Sequence, residues 1–424
     1  MWFFGYGSRE PIQLYIFDCI YFPPRIAMFS TQCISVTLLT SLLFQAFLAA
    51  GARSYDKMSF TNVGFSGTFN PVKKLSNIKK DSCSCEVGSA ESFSGVNAPL
   101  ADYLSVHFRG PLSLRKFAFY STASFSISTN RTSDDWTRLA YYDSSSQTTE
   151  NVTFLTKGGE SSPCLGNALS YASSNGTGYS DTKVTLEDNN SITSDQEYAI
   201  FSNVSCPRSS FGKGCGVYRD GIPALYGFGG VTKMFLFEFE MPTEQQKNST
   251  AFEYYDLPAI WLLNDHIPRT SQYPTNTNCS CWSSGCGEFD IFESINGTQH
   301  NNLYSTFHTF QGIADLSTGI QSNGYFTRDT SGVMRGGVVF DSDGDTIAFL
   351  SSSTEFGETY SAEDVINLIS AISKNNTYST ELASVTPSTA TSTSKSGGIS
   401  LYNADNYWYY VVTGLTTLAH IFMI

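Results

Sequence analysis

Short hydrophobic runs, several with every second position apolar, recur along most of this chain and are bounded by Gly, Ser and Asn. Residues 116–120, 124–128, 152–155, 234–240, 259–263, 304–308 and 338–340 are the clearest. Runs of this length and spacing predict strands of a sandwich or barrel, because strand side chains alternate between two faces. Asp343-Gly344, between VVFDS and TIAFL, predicts a hairpin turn. The Asp-rich stretch 341–345 lacks the later ligands of an EF-hand loop and reads as part of that turn. One segment has a helical period instead. Ser361 can cap it with Asp364 at the third position, and Val365, Leu368, Ile369 and Ile372 fall on one stripe for packing on the sandwich.

The sharpest pattern is Glu288-Phe289-Asp290-Ile291-Phe292-Glu293. On a strand, Glu288 and Asp290 share one face while Phe289 and Ile291 enter a core. Regular alternation would bury Glu293 with them; a β-bulge, one extra residue, swings it back to the acids' face. On a helix Glu288 and Asp290 would stand roughly 200° apart. The strand reading therefore gathers three carboxylates. Crowded acids raise at least one pKa and can keep one carboxyl protonated near neutral pH. One ionised and one protonated carboxyl is the requirement of glycoside hydrolysis. The bland alternative is the solvated face of an edge strand, which the intervening apolar residues disfavour.

Composition agrees with an all-β chain: aromatics are 14%, with 32 Phe and 24 Tyr, and charged residues only 15%. The net charge of −13 and the lack of a basic patch argue against nucleic acid as a partner. Both ends carry targeting patterns. An apolar run over 34–50, followed by Ala50-Gly51-Ala52, reads as a secretory signal with Met28 as the true start, the rival being an uncleaved anchor. Residues 377–398 are a Ser/Thr-rich stalk. Residues 399–424 end in an apolar tail without basic flank. This reads as a GPI-attachment signal with Ser396 as the attachment site, rather than as a transmembrane helix. Asn130, Asn151, Asn175, Asn189, Asn203, Asn248, Asn278, Asn296 and Asn375 begin glycosylation sequons. Of 10 Cys, Cys19 and Cys33 fall in the leader. Cys83, Cys85, Cys164, Cys206, Cys215, Cys279, Cys281 and Cys286 form an even set of disulfide candidates with open connectivity. The two C-x-C pairs lack His partners, so no metal site is expected.

Before the acids stand Pro258-Ala259-Ile260-Trp261-Leu262-Leu263 and Cys281-Trp282-Ser283-Ser284-Gly285-Cys286-Gly287; after them comes Ser305-Thr306-Phe307-His308. In these parts the chain resembles glycoside hydrolase family 16, whose E-x-D-x-(x)-E signature lies on a strand of a β-jelly roll. With SYDKMSFTNVGFSGTFNPV and CSCEVG, the resemblance extends to the fungal Tos-one-like cell-wall proteins. It implies a concanavalin-like sandwich, Glu288 as nucleophile, Glu293 as general acid/base, and Asp290 between them sharing a proton. His308 would touch the sugar or the carboxylates. Trp282 is the better sugar platform, and Trp261 reads more as core. An insertion over 264–281 would lie over the cleft and alter which glucan fits.

The expected organisation is a leader over 1–52, a module or elaborated first layer over 53–111, a hydrolase-like sandwich over 112–376, then stalk and anchor signal. The expected function is an extracellular, GPI-anchored cell-wall β-glucan hydrolase. It would be an endo-1,3-β-glucanase that retains configuration, acts as a monomer and needs no cofactor. A transglycosylase and an inactive glucan-binding mannoprotein are the alternatives.

Overall fold

The strand Lys233–Glu240 (KMFLFEFE) shows how the layers arise. Phe235, Phe237 and Phe239 bury on one face, Met234 and Leu236 on the other, so this strand must be covered on both sides. The computed structural model describes residues 52–127 and 133–385, and in it two large sheets pack as a β-sandwich. One sheet has 9 strands. Lys233–Glu240 lies within it, between Ser113–Ser121 and Met334–Phe340. The facing sheet has 11. Its central run is Asn302–His308, Glu288–Glu293, Ala259–Asn264, Leu104–Arg109, Glu197–Phe201 and Thr153–Thr156, each antiparallel to the next.

Aromatic rings knit the sheets together. Phe108 meets Phe237 with centroids 6.1 Å apart, and Phe60 meets Phe289 at 6.1 Å. Edge-on contacts of this kind add to the burial of large apolar rings. The outer face of the 9-stranded sheet is closed by the helix Ala362–Ser370. Its Ser361 and Asp364 form the expected reciprocal capping box, and Val365, Leu368 and Ile369 are buried against Tyr120, Leu236 and Phe349.

Residues 53–111 supply strands to both sheets: Lys57–Thr61 to one and Leu104–Arg109 to the other. They also form a small hairpin, Val72–Ser76 with Ser84–Val87, and a two-stranded sheet flanking it, Gly67–Phe69 with Glu91–Phe93. Thr377–Glu381, grouped with the stalk on its Ser/Thr content, is a strand pairing parallel to Lys57–Thr61. Its Tyr378 packs on the core and Leu382 beyond it is buried. Residues 124–127 are not a strand, correcting that expectation. Phe125 instead packs its ring on Trp136. A second helix, His266–Thr270, stands in the insertion, where Pro268 near its start conceals it in the sequence.

All eight cysteines among the described residues are paired: Cys83–Cys164, Cys85–Cys279, Cys206–Cys215 and Cys281–Cys286. Asn175, Asn189, Asn203, Asn248, Asn278, Asn296 and Asn375 are exposed, and Asn151 is half-buried. The leader, Asn130, Ser396 and the apolar C-terminal run lie outside the described residues. Among the described residues no helix is long and apolar enough to cross a membrane.

Candidate active site

The acidic strand is bulged. Against its neighbour, pairing runs from Asp290 with Thr306 to Glu293 with Tyr304. Three steps on one strand thus match two on the other. On the opposite side Phe292 pairs with Ile260 and Asp290 with Trp261, which leaves Ile291 as the extra residue. Phe289, Ile291 and Phe292 all enter the core. Glu293 consequently faces the same cavity as Glu288 and Asp290. The neighbour's register separates the Cα atoms of Glu288 and Glu293 by four residues, about 13 Å at ~3.3 Å per residue. Only long side chains leaning inward can bring the two carboxyls together over Asp290.

The cavity has a volume of about 580 Å³, within the size range of saccharide-sized ligand sites. Each acid has its own partner. Trp282 donates its indole N–H to Glu288. His308 Nε2 lies 2.9 Å from Asp290 Oδ2, while its Nδ1 contacts the Leu316 carbonyl. Arg109 donates to Glu293 Oε1 at 3.1 Å and, through Nε, to the Leu257 carbonyl at 2.8 Å. The Arg109 guanidinium is buried and lies 4.4 Å from the Tyr254 ring centre. Trp261 forms part of the floor: its ring stacks on His107 at 5.2 Å, and its Nε1 has no hydrogen-bond partner among the described residues.

Burial and charge shift the titrating groups. Burial pushes Glu288 up, held back by the His308 charge and the Trp282 hydrogen bond. Burial, then the Glu293 charge, lifts Asp290 well above the usual carboxylate range despite the His308 hydrogen bond. Burial alone would lower His308, but the Asp290 hydrogen bond and the Asp290 and Glu288 charges hold it up at about 10. Asp290 and His308 act as one unit that keeps a proton to higher pH than either group would alone. Burial drives His107 down, so it remains neutral beneath Trp261.

Local geometry places the acids where they are. Gly287, just before Glu288, has φ +109°, and a Cβ there would press to 3.0 Å from Pro99 and Leu100. The Cys281–Cys286 disulfide closes a short loop that holds Trp282 over the strand's start.

A model of the family described as cell wall protein YJL171C/Tos1, C-terminal, matches residues 134–368, and its N-terminal counterpart matches residues 56–122. The chain belongs to this cell-wall protein family. It is 62% identical, over 89% of its length and 96% of the relative's, to the probable circularly permuted 1,3-beta-glucanase YJL171C of Saccharomyces cerevisiae. It is 51% identical, over 86% and 94%, to the probable circularly permuted 1,3-beta-glucanase PGA52 of Candida albicans. No solved structure matches it.

Glu288, Asp290, Glu293, Trp261, Trp282 and His308 all line the one cavity. Arg109, Tyr254 and Tyr273 line it too, and the sequence reading missed them. A signal for Arg109 was present. In Leu104–Arg109 (LSVHFR) polar Ser105, His107 and Arg109 alternate with core residues, so a polar stripe crosses a buried sheet.

Proposed function

We propose that this protein cleaves β-1,3-glucan in the cell wall by a retaining double displacement. The observation that carries the reading is the bulge at Ile291, which turns three acids into one cavity with a separate partner for each. Glu288 attacks the anomeric carbon as that carbon's bond to the leaving oxygen breaks, and Glu293 gives the oxygen its proton. Glu293 then takes a proton from the incoming hydroxyl, whose oxygen displaces Glu288 and frees it as a carboxylate. The Asp290–His308 unit holds a proton beside Glu288 and steadies its charge as the covalent bond forms and breaks. Arg109 stabilises the negative charge that develops on Glu293 as it releases its proton. Trp282 orients Glu288 and offers a ring to a sugar. Relatives named probable 1,3-beta-glucanases support glucan as the polymer. The two terminal signals support secretion and a GPI tether at the plasma membrane's outer face.

Incubating the secreted protein with linear β-1,3-glucan beside Glu288→Gln tests this. Wild type should form new products, and the variant should lose roughly 10³-fold or more in rate. Shorter products mean hydrolysis; products longer than the substrate mean that a sugar hydroxyl, not water, resolves the intermediate. Equal inertness of both proteins would refute the reading.

A further inference from the structure

We propose that the cleft is blind on the Arg109 side, so that the site takes the end of a glucan chain rather than its middle. This rests on the glucan reading above. A polymer lying across the sheet would pass from the acidic strand over Trp261 and Arg109 towards the strands Glu197–Phe201 and Thr153–Thr156. The chain itself blocks that path twice.

The first obstacle is the segment 271–280, which follows the short helix and walls the cavity with Tyr273, Pro274 and Thr275. It is pinned at four points. Ser271 Oγ donates to the Leu165 carbonyl at 2.8 Å, and Thr275 Oγ1 donates to the Pro163 carbonyl at 3.0 Å. The Tyr273 hydroxyl donates to Glu197 Oε1 at 3.2 Å, with the Lys157 ammonium 4.1 Å from its ring centre. Cys279 is bonded to Cys85 of the hairpin formed by Val72–Ser76 and Ser84–Val87. A segment held by a disulfide, hydrogen bonds and a cation over its ring is a fixed wall, not a lid.

The second obstacle lies behind it. Ala199 pairs with His107 and Leu155 pairs with Ala199, so these residues continue the cavity face of the sheet. They do not form a groove floor. With Phe201 they are buried in a small core of their own beneath Leu169 and Leu225. Among the described residues this face therefore holds side chains, not sugar, beyond the wall. A glucan lying along this face must therefore terminate at the wall.

Two measurements test the proposal. Wild type should release short oligosaccharides from linear β-1,3-glucan while mean chain length falls slowly, and should leave a cyclic β-1,3-glucan, which has no ends, intact. A rapid early fall in chain length with opening of the cyclic glucan would overturn it. The second uses Glu288→Gln and a β-1,3-gluco-oligosaccharide carrying a bulky fluorophore at one end or the other. A tag at the end that enters the blind side should weaken binding roughly tenfold or more, and the opposite tag should not. Tyr273→Ala should recover part of that loss. Binding indifferent to both tags sinks the blind end alone, whereas no binding of any oligosaccharide sinks the glucan reading with it.

Discussion

Arg109 carries the largest residue-scale consequence. It is buried, it meets Glu293 at 3.1 Å, and 184 positions separate the two. If it stabilises charge on Glu293 during proton donation, its value depends on how badly the leaving group needs a proton. Arg109→Met should lower kcat/KM on an unactivated β-1,3-gluco-oligosaccharide by about 100-fold, the low end of general-acid contributions. It should barely affect formation of the glycosyl-enzyme from a dinitrophenyl glycoside, whose leaving group needs no proton. Equal losses on both substrates would show that Arg109 only supports the fold. The Asp290–His308 pair makes a second prediction. Asp290 has a folded pKa above its unfolded value, so the folded state keeps a proton that the unfolded chain has released. This contribution is present below about pH 4 and is lost as pH rises through the folded pKa. His308 is held at about 10 against an ordinary 6.5, so its contribution is full below 6.5 and lost by about 10. The two groups titrate as one pair, so these are two descriptions of one retained proton, and stability falls with rising pH. Calorimetry at about pH 5 and about pH 9 should show a smaller drop in Tm for Asp290→Asn/His308→Asn than for wild type. An unchanged drop would mean that the pair does not hold the proton.

At the scale of elements, the bulge decides which face Glu293 occupies. Deleting Ile291 would leave Glu-Phe-Asp-Phe-Glu, whose regular alternation keeps all three carboxylates on one face and both Phe side chains in the core. The deletion variant should therefore fold and retain activity, at the cost of one buried apolar side chain, as read by near-UV circular dichroism and product formation. Failure of the variant to fold would show that the strand needs the extra core side chain, and not only the face that the bulge gives Glu293. The acidic strand was legible because its chemistry is local: acids alternate with aromatics within six residues. The capping box at Ser361 was legible for the same reason. Residues 124–127 were misread because short alternation also suits an extended loop whose one ring, Phe125, packs on Trp136. The helix His266–Thr270 was missed because five residues are too few to show a helical period.

For the whole molecule, the disulfides rank by the loops they close. Cys85–Cys279 spans 194 residues and Cys206–Cys215 spans 9. The chain-entropy account gives about 5 kcal/mol for the first and about 2.5 kcal/mol for the second. Cys85→Ser/Cys279→Ser should therefore lower the unfolding free energy in urea more than Cys206→Ser/Cys215→Ser. The reverse order would mean that strain or residual structure, not loop closure, sets these contributions.

The sequence by itself determined an all-β chain, the capped helix, an even set of cysteines and three closely spaced acids with one Trp beside them, while His308 was indicated by the family resemblance. All but His308 follow from periodicity, composition or spacing within a short window. Only the tertiary structure decided the rest. Disulfide pairing depends on which loops meet. Arg109 reaches Glu293 because Leu104–Arg109 and Glu288–Glu293 both flank Ala259–Asn264. The wall of the cleft depends on where 271–280 is pinned. These are contacts between segments distant in sequence, fixed by burying two sheets against one another, and no local pattern of residues encodes them.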